Sequence, residues 1–179
     1  MGFYMVIKSP DIDDANAICD YYYRNREHLA PWEPARAKEF FTERFWQDRL
    51  SVWKSDQQLG IGAHFIASSY AQPKVVGVCS LTNIIRGPFL ACNIGYSVSA
   101  ESEGQGIAKK MLSHAVDFAF NDLKLNRVMA NYLPRNNRSA NLLASLGFER
   151  EGLARRYLNI NGVWEDHVLT ALINPNNLQ

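Results

Sequence analysis

The sequence predicts a mixed α/β domain built around a mostly antiparallel sheet. Three observations point to it. Helical and strand-like patterns interleave along the 179 residues. The segments KVVGVCSLTNII and ACNIGYSV read as neighbouring strands joined by the RGPFL turn, with Gly87 and Pro88 as punctuation. Near the end, LARRYLNI and VWEDHVLTALI flank Asn161-Gly162, a dipeptide that supplies the two positive φ angles of a tight hairpin turn. A chain of this length supports one hydrophobic core, so residues 1–179 are expected to form a single domain.

The elements follow in order. FYMVIK reads as a short strand. SPDIDDANAICDYYY reads as a helix, with acidic residues near its N-terminus and Ile12, Ala15, Ile18 and Tyr22 at helical spacing. In LAPWEP the prolines at 31 and 34 disfavour a continuing helix. A second helix is expected from about Lys38 to Lys54, with Phe41, Phe45, Trp46, Leu50 and Trp53 on one broad face. AHFIASS opens the strand-rich region. After a glycine segment comes a long helix whose stripe is Ile107, Met111, Ala115, Phe118 and Ala119. NRVMANYL is a strand, and a short helix from about Ser139 to Leu146 ends at Gly147, a residue suited to the positive φ of a helix C-terminus.

Composition excludes several classes of function. Apolar residues make up 47% and charged residues 21%, a globular and not a disordered profile. Nineteen basic against eighteen acidic residues leave a formal charge of +1, so neither a nucleic acid nor a membrane surface is expected as a partner. No apolar run approaches the roughly 20 residues that span a bilayer. Cys19, Cys79 and Cys92 form no CxxC pair. With no signal-peptide pattern at the start, reduced thiols in a cytoplasmic protein are expected. His28, His64, His114 and His167 have no paired spacing, and no metal is expected.

The segment ESEGQGIAKKML carries chemistry. Gly104 and Gly106 bare the backbone at the mouth of a helix, where unpaired N–H groups and the positive end of the dipole suit an anion such as a pyrophosphate. Lys109 and Lys110 add positive charge. A plain helix start would explain the same residues, and the pattern completes neither the phosphate-loop nor the dinucleotide fingerprint. A second constellation, NYLPRNNRSANLLASLGF, puts Asn136 and Ser139 at another helix entrance, one helix and one strand further on. Capping alone would account for the asparagines.

Together, EGQGIA and NNRSANLLASLGF resemble the GNAT-type acetyltransferases, which use acetyl-coenzyme A. The first is similar to that family's pyrophosphate loop on Glu103 to Ala108. The second is similar to the segment that borders the pantetheine arm. HLAPWEP, NIIRGPFLACNIGYSV, RVMANYLPRNNRSANLLASLGFEREG and NGVWEDHVLTAL extend the resemblance to the RimJ/RimL group within the family, over about residues 20 to 172. The resemblance implies a sheet with a splayed strand pair flanked by helices. It implies acetyl-CoA held by Tyr96, Ser97, Val98, Gly104, Gln105, Gly106, Ile107, Ala108, Lys109, Asn136 and Ser139. Ser139 is implied as general acid at the coenzyme sulfur, and a backbone N–H near Tyr96–Val98 as donor to the thioester oxygen. Two departures stand out. Glu103 occupies the family's Gln or Arg position, where a carboxylate would weaken coenzyme binding, and GFYMVIKSP replaces the usual start, so the first strand is shorter or altered.

Acetyl transfer needs a neutral amine, a donor for the oxyanion and a proton for the departing thiolate. A backbone amine, with a pKa of about 7.7–8.0 against about 10.4 for lysine, reaches the neutral form far more readily. Glu33 in PWEP is the first choice of base, with Asp166 and His64 as alternatives. Asp166 and His167 alternate faces on a strand, so only one can point into the groove. Asn83, Arg86 and Tyr132 are candidates for the acceptor side together with Glu33. The acceptor is expected to be a protein N-terminus, that of a ribosomal protein above all, and the enzyme a monomer or homodimer. A polyamine or aminoglycoside acceptor, or a coenzyme-binding partner protein without catalysis, are the alternatives.

Overall fold

The computed structural model describes residues 5–69 and 74–177. Its strands are β1 (Met5–Lys8), β2 (Ala63–Ser69), β3 (Val75–Ile85), β4 (Ala91–Val98), β5 (Arg127–Tyr132), β6 (Glu149–Ile160) and β7 (Val163–Ile173). Its helices are α1 (Ala15–Arg24), α2 (Arg26–Leu29), α3 (Glu43–Leu59), α4 (Ile107–Asp117) and α5 (Asn137–Ser145). The strand expected at the start lies partly outside the described residues, which begin at Met5.

Local chemistry sets the helix boundaries. Asp11 and Asp14 exchange side chain and backbone in a capping box around a 3-10 turn, Ile12–Asp14, that runs into α1. Ile12 therefore sits before the helix and is exposed, while Ala15, Ile18, Tyr21 and Tyr22 are buried. The helix expected from Lys38 divides in two. A 3-10 turn spans Lys38–Phe41, then Thr42 turns extended and caps α3, its hydroxyl accepting from Phe45 N–H at 3.3 Å. The helix α3 continues to Gly60, whose φ of 68° closes it. The long helix α4 ends in a π-helical turn, Phe118–Asp122.

The sheet has the order β1-β2-β3-β4-β5-β7-β6. Every neighbour pair is antiparallel except β4 and β5. The expected mixed fold with a mostly antiparallel sheet is therefore the observed one. The parallel pair is short: its register runs only from Ala91 opposite Arg127 to Asn93 opposite Met129. Beyond that point β4 keeps pairing with β3 as far as Val98, and β5 keeps pairing with β7 as far as Tyr132. The two strands part, and the sheet opens into a V.

Helices cover both faces. One core packs α4 and α5 against the sheet through Phe65, Leu81, Ile107, Met111, Leu112 and Leu143. The other packs α1 and α3 through Ile18, Tyr21, Tyr22, Trp46, Leu50 and Ile66. Strands β2 and β3 are buried on both faces, so their sequences read as apolar runs without alternation. Cys79 and Cys92 are fully buried in the first core, and burial pushes both thiols up to about 12.

Gly77 of β3 sets how closely α4 approaches. A Cβ there would lie 2.7 Å from the Met111 sulfur and 3.2 Å from the Ser97 carbonyl oxygen. Gly77→Val is expected to force α4 outward and to destabilise the fold by about 1–3 kcal/mol, read from denaturant midpoints at unchanged slope.

Candidate active site

The V exposes backbone. Ser99 N–H bonds to the Val76 carbonyl, so alternate residues of β4 turn their peptide groups toward β3. By the same alternation Tyr96 and Val98 turn theirs toward β5, at the level where β5 has already diverged. Their N–H groups therefore point into the opening. A cleft of about 640 Å³ passes through this gap, with Tyr96, Ser97 and Val98 in its wall.

On one side of the gap lies the start of α4. Gly104 and Gly106 have φ angles of 72° and 75°, and a Cβ at either position would meet nothing within 4 Å. Within the protein itself the glycines are needed there for conformation and not for clearance from neighbouring side chains. Among the described residues, the N–H groups of Gly104, Gln105, Gly106, Ile107, Ala108 and Lys109 make no hydrogen bond. Gly104, Gly106, Ile107, Ala108 and Lys109 line the cleft. Gln105 does not: its side chain turns back and donates to the Glu101 carbonyl at 3.2 Å. Glu103 does not stand as an unopposed carboxylate. Arg138 binds one of its oxygens, and His28 Nε2 lies 3.2 Å from the other.

The start of α5 faces the same space. Asn136 caps the helix, its Oδ1 accepting the Ser139 N–H at 3.1 Å. This fixes Ser139 on the first turn, where its hydroxyl oxygen accepts a hydrogen bond from Tyr96 at 3.0 Å. The Tyr96 hydroxyl is thereby spent, and the Ser139 hydrogen is left to point elsewhere. Burial raises the Tyr96 pKa, and the Ser139 contact draws it partly back.

Across the sheet the cleft is lined by Tyr22, Trp32, Glu33, Pro34, Arg36, Asn131 and His167, together with Leu158 and Ile160, while Tyr132 packs against the α4–α5 core. Burial raises the pKa of Glu33, and Arg36, 3.1 Å from its carboxylate, opposes the rise. A roof closes this half. Asn161, at the β6–β7 turn, donates its N–H to the Glu33 carbonyl at 3.1 Å. Arg135 donates to the Pro31 carbonyl at 3.2 Å and pairs with Glu165 at 2.9 Å.

Asn83 and Arg86 stand outside the cleft. Asn83 sits exposed at a register shift of β3 with a φ of 50°, and Arg86 donates to the Leu123 carbonyl on the far side of the sheet end. The two alternative bases are also elsewhere. Asp166 accepts the Arg156 N–H at 2.9 Å. His64 is buried under α3, stacked on Trp53 with Nδ1 2.8 Å from the Ser80 hydroxyl. Sequence reasoning assigned no role to Arg138, His28, Asn131 or Tyr157. Only spatial neighbourhood brings them forward, since the strands and helices that carry them are distant in the chain.

The chain belongs to the GNAT acetyltransferase family: the family model described as "Acetyltransferase (GNAT) domain" matches residues 5–149. It is an acetyltransferase, and its likeness to the RimJ/RimL group extends over nearly its whole length. The ribosomal protein uS5-alanine N-acetyltransferase of Escherichia coli (strain K12) is 39% identical over 171 residues, covering 96% of this chain and 88% of that one. The crystal structure of the ribosomal-protein-S5-alanine acetyltransferase from Vibrio fischeri is 41% identical, with a TM-score of 0.94 over 98% of this chain and 97% of that one. RimJ of Mycobacterium smegmatis, in complex with CoA-disulfide, is 29% identical, with a TM-score of 0.89 over 98% of this chain and 84% of that one. Among the described residues no helix is long and apolar enough to cross a membrane.

The buried His64 makes a prediction about pH. Burial, with Arg49 adding to it, lowers its pKa from 6.5 to about 4. The unfolded chain thus binds the proton first as pH falls, and folding stability is lost between about pH 6.5 and about pH 4. His64→Gln is expected to reduce the slope of stability against pH in that window by up to about 1.4 kcal/mol per unit, measured by denaturation at a series of pH values.

Proposed function

We propose that this enzyme transfers the acetyl group of acetyl-CoA to the N-terminal α-amine of a protein, a ribosomal protein in the first instance, by direct attack in a ternary complex. The observation that carries this reading is a cleft running through the sheet. Free amide donors line one half, and the other is a groove crossed by the Asn161–Glu33 and Arg135–Pro31 hydrogen bonds. When bound, acetyl-CoA supplies an activated acyl carbon and a thiolate leaving group.

The chain's residues fit that co-substrate. Unpaired N–H groups from Gly104 to Lys109, at the positive end of α4, are a donor set for a diphosphate, each charge-assisted bond being worth roughly 1.5–3 kcal/mol. Lys109 adds a cation. The N–H groups of Tyr96 and Val98 point into the V, where they can donate to an acyl oxygen before any charge develops there. Ser139 holds its proton toward the cleft, with Tyr96 fixing the oxygen that carries it. The ion pair with Arg138 removes the objection that Glu103 raised, since a neutralised carboxylate repels an anion little.

On the acceptor side the groove holds few free negative charges. Glu33 is balanced by Arg36, and its remaining field can draw a single ammonium inward. A polyamine carries several cations and wants several carboxylates, which this groove does not offer. The roof formed by residues 31–33, Arg135 and the β6–β7 turn favours a thin extended segment over a bulky acceptor. The relatives named for acetylation of ribosomal-protein alanine support the same choice.

Two measurements test this. In a thiol-release assay, peptides that begin with Ala or Ser are expected to turn over, while lysine side chains in N-terminally blocked peptides and polyamines lag by at least about tenfold in kcat/KM. Turnover with polyamines alone would overturn the acceptor. Glu103→Gln is expected to change the CoA dissociation constant by less than about threefold, because the carboxylate is already neutralised. Tightening beyond about tenfold in calorimetry would show that it repels the coenzyme after all.

A further inference from the structure

His167 of β7 is only 3% exposed, lines the cleft, and takes no part in the chemistry described so far. We propose that His167 is the proton acceptor for the attacking amine, acting through Nε2 on the acceptor side of the V. The inference deepens the acetyl-transfer reading and rests on it.

Hydrogen bonding decides which nitrogen is free. His167 Nδ1 lies 3.1 Å from the Glu165 carbonyl oxygen. A carbonyl can only accept, so Nδ1 carries a hydrogen, and the lone pair of the neutral ring resides on Nε2. Nε2 has no hydrogen-bond partner among the described residues, and it is not one of the buried polar atoms sealed from water without a partner. The ring is deeply set and borders the cleft. The lone pair therefore opens to the groove.

The surroundings hold the ring in that attitude. In the β5–β7 ladder Asn131 stands opposite Leu169, so Asn131 and His167 share one face of the sheet. The β6–β7 register shifts between Ala154 and Leu158, and Arg156 at the bulge has a φ of 47°. Asp166 pins the bulge by accepting the Arg156 N–H at 2.9 Å. The bulge re-aims the next residue. The Tyr157 ring comes to lie 5.6 Å from that of His167, and its hydroxyl accepts from Asn131 Nδ2 at 3.1 Å. Asp166, an alternative base in the sequence, thus serves as a positioning residue.

Glu33 is less suited to the task, because Arg36 already occupies one of its oxygens. An imidazole also ionises nearer neutrality than a carboxylate does, which matches a base that must work on an α-amine. The step balances as follows. The amine arrives neutral, having lost its first proton to water. As its lone pair forms the C–N bond, Nε2 takes one further proton from that nitrogen. The C–S bond breaks with its electron pair on sulfur, and the sulfur takes the Ser139 proton. Water then resupplies Ser139 and receives the proton from His167.

The test uses His167→Gln, which keeps a polar side chain but cannot hold a proton near neutral pH. Wild type and variant are compared on whichever amine of the panel above the wild type acetylates fastest. The substitution is expected to lower kcat by about 100-fold or more, to leave KM for acetyl-CoA within about threefold, and to remove the acid limb of the kcat profile, with partial rescue by added imidazole. Tyr157 lies against that ring, the Glu165–Arg135 pair is two residues along the strand, and Tyr22, Glu33 and Arg36 line the same half of the cleft, so Glu33→Gln is run alongside to separate the carboxylate's contribution. A kcat within about threefold of wild type, with the acid limb intact, would overturn the proposal. If the variant does not fold, NMR titration of the ring in the wild-type protein decides. A midpoint matching the acid limb of kcat supports the assignment, and one displaced by more than about one pH unit overturns it. Turnover of a non-protein amine would change the acceptor and leave the histidine test standing. Wild type acetylating none of the panel would sink both readings.

Discussion

The parting of β4 from β5 after Asn93 and Met129 is the constraint on which the rest of the molecule turns. Backbone N–H and C=O groups inside a protein are nearly always paired, and an unpaired one costs about as much as a lost hydrogen bond. A sheet that stops pairing in its middle leaves such groups facing inward unless something else meets them. An extended amide-bearing ligand is chemically suited to meet them. Because β3 and β7 keep hold of the outer edges, the gap stays open without weakening the strands that form it.

Two helix starts converge on that gap. The fold brings them there by packing: Gly77 lets α4 settle against β3, and the Asn136 cap fixes the first turn of α5. Each contributes a different chemistry, unpaired amides from one and a positioned hydroxyl from the other. The two faces of the sheet are equally divided in labour. The α4–α5 side presents donors, and the α1–α3 side presents the roofed groove with Glu33, Arg36 and His167.

The sequence made the strand order's raw material and both helix-start constellations visible, because glycine, asparagine and apolar periodicity act locally. Gly60, Gly147 and Gly162 all have the positive φ that such positions demand. The break at Thr42 was not legible, since the aromatic stripe runs through it and only the cap marks the new helix. Asn83 and Arg86 were expected on the acceptor side, and the structure puts both outside the cleft. Their positions depend on a β3 register shift that no local pattern reveals. Glu103 looked like an unopposed carboxylate because Arg138 and His28 are remote in sequence. His167 was seen only as one of two residues alternating along a strand. Choosing between them needed the bulge that turns Asp166 toward Arg156.

The deep placement of Cys79 and Cys92 has a practical side. Thiolate is the reactive form of cysteine, and two thiols pushed up to about 12 hold almost none of it at neutral pH. Burial also raises the half-buried Cys19. In solution the two fully buried sulfurs will therefore stay quiet toward disulfide reagents and maleimides, which leaves Cys19 as the one accessible thiol among the three. Colorimetric detection of the liberated coenzyme thus needs a background correction for Cys19 and not for the two buried thiols.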